Sequence, residues 1–450
     1  MAGAGASASL LVSGCAQPYG KKGSYLTGFL APEDQNTVYH WIDIAIQAVR
    51  DQSLSPPRAA YCYAIAMAAG FLAANGISQT YDNPYSIGAG PPDADPEVAY
   101  GIAFAVAAAE AFQQPFVFER AKFLARFPGS EAKTLGVQWG KKVGLAVKRM
   151  RTNDGSEPSK VNFYLGRYPR RHDALRWRPT GPFYSARPSP RFGTFDRGLF
   201  PGQGAIKPWT MTSGSQFQAP PFYDPASPEF AEEFDTIRAL GGADSLIRTP
   251  EQSEIALFWE LGPWGATFSG NFILMAMDIL LRRQLSFVDL ARAFALIGIT
   301  QCDASISAWD SKYIHDIIRP ETAIRQRTAK FNNPDPRMIR QKNWRSFLPS
   351  PPFPAYTSGH STFGAAASEM TALLYGSDQV TFSHTVQDPV IWPQIEGVRR
   401  TWTSLSQAAE ENGMSRLYGG VHWDIDHVEA MKAGRAIARQ AFKQTFPKKA

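Results

Sequence analysis

Apolar residues recur at helical spacing along most of the chain. Trp41, Ile44, Ala45, Ala48 and Val49 mark one helix over residues 37–49, and the Ala-rich runs 59–74 and 97–112, poor in β-branched residues and breakers, mark two more. A fourth covers 130–150, with Val137, Lys141, Gly144 and Lys148 along it and its charges on a solvated face. The same period returns at 228–240, 250–261 and 270–281, and continues over 286–318, where Ala291, Phe294, Ala295, Gly298 and Ile299 make a core-facing set. Thr249-Pro250-Glu251-Gln252 reads as a helix start: a capping hydroxyl, a first-turn proline and an early acid. The pattern predicts an all-α fold of two packed helical bundles with long irregular loops. Its parts are an N-terminal segment (1–30), a first bundle (31–150), an irregular connection (151–227) and a second bundle (228–446).

Composition changes this picture mainly in the connection. Ten prolines between Arg151 and Phe222, with many Gly and Arg residues, rule out long regular structure there. Its arginines, among them Arg167, Arg170, Arg171, Arg176, Arg178, Arg187 and Arg191, alternate with Tyr168, Trp177 and Phe192. Such interleaving can bind nucleic acid, but no nucleic-acid module frames it, and a loop wrapped over a helical body accounts for it better. The 450 residues are 44% hydrophobic and 12% aromatic, which excludes a mainly disordered chain, and no integral membrane span is expected. A net charge of +6 is mild for this length and compatible with anionic ligands. Cys15, Cys62 and Cys302 lack the spacing of a disulfide framework or a thiolate metal site. The stretch from Leu10 to Cys15 resembles a lipoprotein processing site without the usual basic residues before it. It points to an exported protein (periplasmic, lipoprotein or secreted), or else to an unstructured chain end.

Candidate chemistry concentrates between residues 309 and 426. Ser358-Gly359-His360 precedes a run of small residues (362–374), so a hydroxyl, an unobstructed backbone amide and the positive end of a helix dipole meet at one helix start, an arrangement that binds anions. Lys312 and Arg319, seven residues apart, would project from one helical face, with Pro320 ending the helix. Further on, a helix from about Val421 would set Asp426 one turn from His422 and fix the imidazole's tautomer. Arg416 adds a planar fork for an oxyanion, and Gly419-Gly420 allows backbone to come close. Each feature has a plainer reading taken alone: a solvated helix face, an ion pair, a helix cap. Together they offer three cations, two neutral donors and two imidazoles, a set suited to a highly charged tetrahedral oxyanion. His315, His384 and His427 read as structural, with His427 a second choice for a proton relay.

The order Lys312-x6-Arg319-Pro320, Ser358-Gly359-His360, Ser415-Arg416-x5-His422-x3-Asp426 resembles the three-part signature shared by vanadium-dependent haloperoxidases and type 2 phosphatidic acid phosphatases. The motifs cover only Lys312 to Asp426, and Thr357 stands where that family usually has proline. The resemblance implies a vanadate cofactor bonded through His422, its oxygens held by Lys312, Arg319, Arg416, Ser358 and Gly359, with His360 as the acid–base group. Lys312 and Asp426 complete the implied catalytic set, and Trp309 and Phe353 fall where haloperoxidases line the halide pocket. The partners implied are hydrogen peroxide, a halide and a small organic acceptor that hypohalous acid halogenates; a homo-oligomer is compatible with this. Iodide and bromide are the expected halides and chloride the demanding one. Two alternatives share the same residues: an acid phosphatase working through a phosphohistidine, and an anion-binding protein without turnover. The chain length and the two aromatics favour the haloperoxidase reading.

Overall fold

The computed structural model describes residues 36–161, 173–179, 198–262, 265–386 and 392–449, without the side chains of Pro158 and Arg327. The stretch ending at Cys15 and most of the connection's arginines lie outside the described residues.

Among the described residues, five helices come first: α1 (Thr37–Asp51), α2 (Pro56–Ser78), α3 (Pro96–Ala111), α4 (Val117–Ala125) and α5 (Glu131–Arg151). Their starts are written locally. Asn36, Asp95 and Ser130 accept first-turn amides, and prolines open α2 and α3. α2, α3 and α5 cross closely because α5 turns Gly136, Gly140 and Gly144 toward α3. A Cβ on Gly140 would lie 2.5 Å from the carbonyl oxygen of Ala99, so only glycine admits this backbone contact. By length and composition alone α2 could cross a membrane, but nearly all of it is buried among the other helices, so it does not show a span.

After the short α6 (Pro158–Val161) come α7 (Pro228–Leu240), α8 (Pro250–Phe258), α9 (Thr267–Leu281) and the long α10 (Phe287–His315). α8 starts with the anticipated capping box of Thr249 and Gln252. α10 joins the two halves: its apolar residues share one core with α1, α2, α3 and α5, together with the end of α14. A single turn, α11 (Pro320–Thr322), then α12 (Gly359–Tyr375), α13 (Leu405–Tyr418) and α14 (Asp424–Gln444) complete the helices. α12 and α14 approach so closely that a Cβ on Gly434 would lie 2.5 Å from the carbonyl oxygen of Thr362. The fold is helical as the hydrophobic period predicts, with one addition. An antiparallel pair, β1 (Gln379–Thr385) and β2 (Arg399–Ser404), links α12 to α13 and pairs Phe382 with Trp402. The strands are short, and Trp402 packs on Phe258 and Trp259.

Candidate active site

The residues assigned to the anion site in the sequence gather where α10, α12, α13 and α14 converge, but two of the local structures differ from expectation. α10 ends at His315, where Asp316 takes a left-handed conformation (φ 57°). Arg319 therefore lies in extended backbone before α11, and the two cations do not share a helical face. They meet instead across the segment 353–357. Lys312, fully buried, donates from Nζ to the carbonyls of Ala355 (2.9 Å), Pro354 (3.3 Å) and Thr357. Arg319 donates from Nε to Phe353 O (2.9 Å) and from Nη1 to Val421 O (2.6 Å). Likewise His422 precedes α14 rather than riding on it. Asp426, in the first turn, reaches back so that Oδ2 accepts from Trp423 N (3.0 Å) and from His422 Nδ1 (2.6 Å). The pairing is as expected; its geometry is that of a helix-capping acid.

Ser358 caps α12: its Oγ accepts from Ser361 N (3.3 Å), and its own amide donates to Asp426 O (2.9 Å), tying two parts of the site together. Gly359 opens the helix against the indole of Trp309, where a Cβ would lie 3.3 Å from Cζ3. Trp309 in turn packs against Phe353 with ring centroids 5.1 Å apart and planes tilted by 54°, and the Phe353 ring lies 5.2 Å from both Lys312 Nζ and Arg319 Cζ. The two aromatics thus form one wall of the cationic cluster. Gly419-Gly420 has a different use from the one expected. Gly420 (φ 71°) packs its backbone on Gly241, so the close approach is to another turn of this chain.

Two further residues belong to the site, and sequence reading missed both. Glu260, just after α8, is buried and pairs with Arg416 Nη1, whereas Asp310 and Asp316, nearer to Lys312 in sequence, do not. Asp310 accepts from Ser215 instead. Trp259, beside Glu260, offers its carbonyl to His360 Nε2 (3.1 Å), while the His360 ring packs on Phe268 at 4.4 Å. No spacing in the sequence could have announced either contact, because α8 lies about a hundred residues or more from its partners. His315, His384 and His427 bond elsewhere, to Ala219 O, Asn271 Oδ1 and the pair Ser361/Glu410.

The electrostatics follow from this crowding. Burial, then the charges of Arg319, Lys312 and Arg416, hold His422 well below the usual histidine range. Burial and Arg416 do the same to His360. Burial raises Asp426 to about 7, opposed by the Trp423 amide and the two nearest cations. Burial and Arg319 push Lys312 far down, although three carbonyls surround its ammonium. A neutral His422 donating from Nδ1 keeps its lone pair on Nε2, where Arg319 Nη1 lies at 3.0 Å. Arg416 Nε is buried without an acceptor. Three buried cations against Glu260 and Asp426 leave an excess of positive charge, an unfilled donor and a helix start, so the residues fit an oxyanion. Among the described residues, no group of three or more His, Cys, Asp or Glu could hold a bare metal ion.

Comparison with known proteins agrees with this geometry. Residues 292–447 match the family profile of the VCPO second helical-bundle domain. In sequence and fold the chain is similar to vanadium haloperoxidases. It is 27% identical over 273 residues to the vanadium chloroperoxidase of Curvularia inaequalis, an alignment covering 49% of this chain. The chain spans only 44% of that relative's length. Its fold is similar to the crystal structure of the first bacterial vanadium-dependent iodoperoxidase (TM-score 0.74, 22% identity, 91% of this chain and 96% of that one). It is also similar to an apo-type bacterial vanadium-dependent chloroperoxidase (TM-score 0.65, 20% identity, 87% and 94%). The candidate oxyanion-holding residues of this chain thus lie in the matched region, Trp259 and Glu260 precede it, and the other helices build the body on which α10 rests.

Proposed function

We propose that this protein is a vanadate-dependent haloperoxidase, using hydrogen peroxide to oxidise a halide to hypohalous acid that halogenates small organic acceptors. The observation that carries the reading is the unpaired Arg416 Nε beside the neutral, Asp426-oriented His422, inside a buried excess of positive charge. His422 would hold vanadate through Nε2, with Lys312, Arg319, Arg416, Ser358 and the Gly359 amide on its oxygens. Vanadate, when bound, supplies the electrophilic activation of peroxide toward a halide.

The chain's own residues supply the rest. His360, neutral because of burial and Arg416, bonds Trp259 O through Nε2 and so keeps Nδ1 as a base able to take a proton from peroxide and return it. The three cations favour negative charge on oxygens inside a site of low polarity, where their fields are strongest. Trp309 and Phe353 exclude water from one side and offer an apolar surface to a weakly hydrated halide. Glu260 neutralises part of Arg416, which limits how far the cations can withdraw electrons. Iodide and bromide, the easier halides to oxidise, are therefore the proposed substrates, with chloride turned over more slowly.

The test is peroxide-dependent halogenation of a phenol dye with each halide, with and without orthovanadate, alongside hydrolysis of a chromogenic phosphate ester. Vanadate-dependent halogenation with iodide and bromide supports the reading. Ester hydrolysis without halogenation would instead make the site a phosphatase, because phosphate fits the same donors and His422 could attack phosphorus. Chloride turnover without bromide turnover would overturn the halide order.

A further inference from the structure

At the helix start that holds Asp426, only Trp423 N is taken by a local acid; the next two amides are not capped by their own neighbourhood. Residue 423, at the cap position of α14, is a tryptophan with no acceptor in its side chain. It is fully buried, packs on Phe230 and donates from Nε1 to Ile318 O (2.9 Å), one residue before Arg319. A serine or aspartate there would cap the helix but would leave that space in the core.

The missing acceptors come from α7, about 190 residues earlier. Glu233 Oε2 accepts from Asp424 N (2.7 Å) and Glu233 Oε1 from Ile425 N (2.8 Å), so one carboxylate takes both amides that flank the start of the turn. The next residue of that turn is Asp426, whose Oδ2 holds His422 Nδ1 and whose carbonyl holds the Ser358 amide. Glu233 is almost fully buried, and Asp424 and Asp426 crowd the same helix end. Burial raises its pKa to about 8 despite the two amides. A costly group has thus been placed where a local cap would ordinarily serve.

We propose that Glu233 is a positioning residue for His422. By clamping Asp424 N and Ile425 N it fixes where the first turn of α14 sits, hence where Asp426 reaches back, and hence the direction of the His422 Nε2 lone pair. Ser358 is held from the same turn, so two of the proposed vanadate contacts depend on one distant carboxylate. This rests on the vanadate reading above for its ligand, although the orientation of His422 can be read without it.

The experiment compares wild type, Glu233→Gln and Ser130→Ala. Glutamine keeps the shape of Glu233 but turns one acceptor into an NH2 group facing an amide. Ser130→Ala removes the cap of α5, in the first bundle, as a control for stability alone. Orthovanadate affinity is measured by calorimetry, thermal midpoints without vanadate, and the His422 tautomer from ring-nitrogen NMR of histidine-labelled protein. Glu233→Gln should weaken orthovanadate binding by roughly tenfold or more, as loss of a group that orients a ligand commonly does, and should erode the Nδ1-protonated form of His422. Ser130→Ala should lower the midpoint and leave both unchanged. Should Glu233→Gln fail to fold, Glu233→Asp, which retains two acceptor oxygens on a shorter arm, takes its place with the same expectations in smaller measure. A variant that loses stability yet binds orthovanadate as wild type does, with the tautomer intact, overturns the proposal. If wild type itself binds no orthovanadate, the vanadate reading fails, and the tautomer alone decides the proposal.

Discussion

Two buried regions of this molecule are built on opposite terms: the crossing of α5 on α3, and the junction of α10, α12, α13 and α14. At the crossing, Gly136, Gly140 and Gly144 bring helix backbones together, and their contacts are carbonyls and the side chains of Val98, Ile102 and Val106. At the junction, Lys312, Arg319 and Arg416 are buried with Glu260 and Asp426, and Arg416 Nε and Asp426 Oδ1 have no partner. Close packing leaves the first region nothing to gain from a ligand. The second is complete only when something negative joins it. The comparison teaches where changes should be felt: in stability alone at the crossing, in ligand binding as well as stability at the junction.

The most severe test is His422→Ala. It removes the proposed bond to vanadate while leaving the three cations in place, so peroxide-dependent halogenation should fall below detection, and the thermal midpoint should also drop because Asp426 and Arg319 lose a buried partner. Full vanadate-dependent activity in this variant would dissolve the contrast between the regions. Glu260→Ala comes next. It strands the buried charge of Arg416, and breaking such a pair commonly costs about 3–5 kcal/mol. Because an oxyanion can replace the lost carboxylate, orthovanadate should raise the midpoint of this variant by more than it raises that of wild type; denaturation curves at several vanadate concentrations would show it.

Asp316 sharpens the comparison through pH. Both its carboxylate oxygens are buried without partners, and burial raises its pKa from 3.8 to about 8. With the folded value above the unfolded one, its contribution is fully present below about pH 4 and is lost as pH climbs through about 8. Asp316→Asn should therefore exceed wild type in thermal midpoint by much more at pH 9 than at pH 5. An equal gap at both values would refute the buried neutral carboxyl. The smallest change, Gly140→Ala, forces a Cβ against the carbonyl of Ala99. Overpacking of this kind costs about 1–3 kcal/mol, which the denaturation midpoint should register while orthovanadate affinity stays put. A shift in that affinity would mean that the crossing and the junction are coupled.

The helices were legible because each is announced within its own stretch of sequence. Ala-rich runs poor in breakers placed α2 and α3, Thr249 and Gln252 opened α8, and Ser358 stood where α12 begins. The strand pair escaped notice because its support comes from distant Phe258 and Trp259. In the site, the residue types were legible and part of the local geometry was not. Lys312 and Arg319 were expected on one helical face, but the left-handed turn at Asp316 ends the helix between them, and the carbonyls of residues 353–357 bring them together.

By itself the sequence determined the helical character of the chain, the order of its anion-binding residues and the partnership of His422 with Asp426, since a helix start and a spacing of a few residues are set by local backbone geometry. Only the tertiary structure decided what surrounds those residues. Glu260 against Arg416, Trp259 O against His360 and Glu233 at the head of α14 each join groups about a hundred residues or more apart. The reason is physical: burial and charge are properties of a place rather than of a residue. Which acid faces which cation, and which imidazole stays neutral, therefore depends on the packing of whole helices, and no local pattern records it.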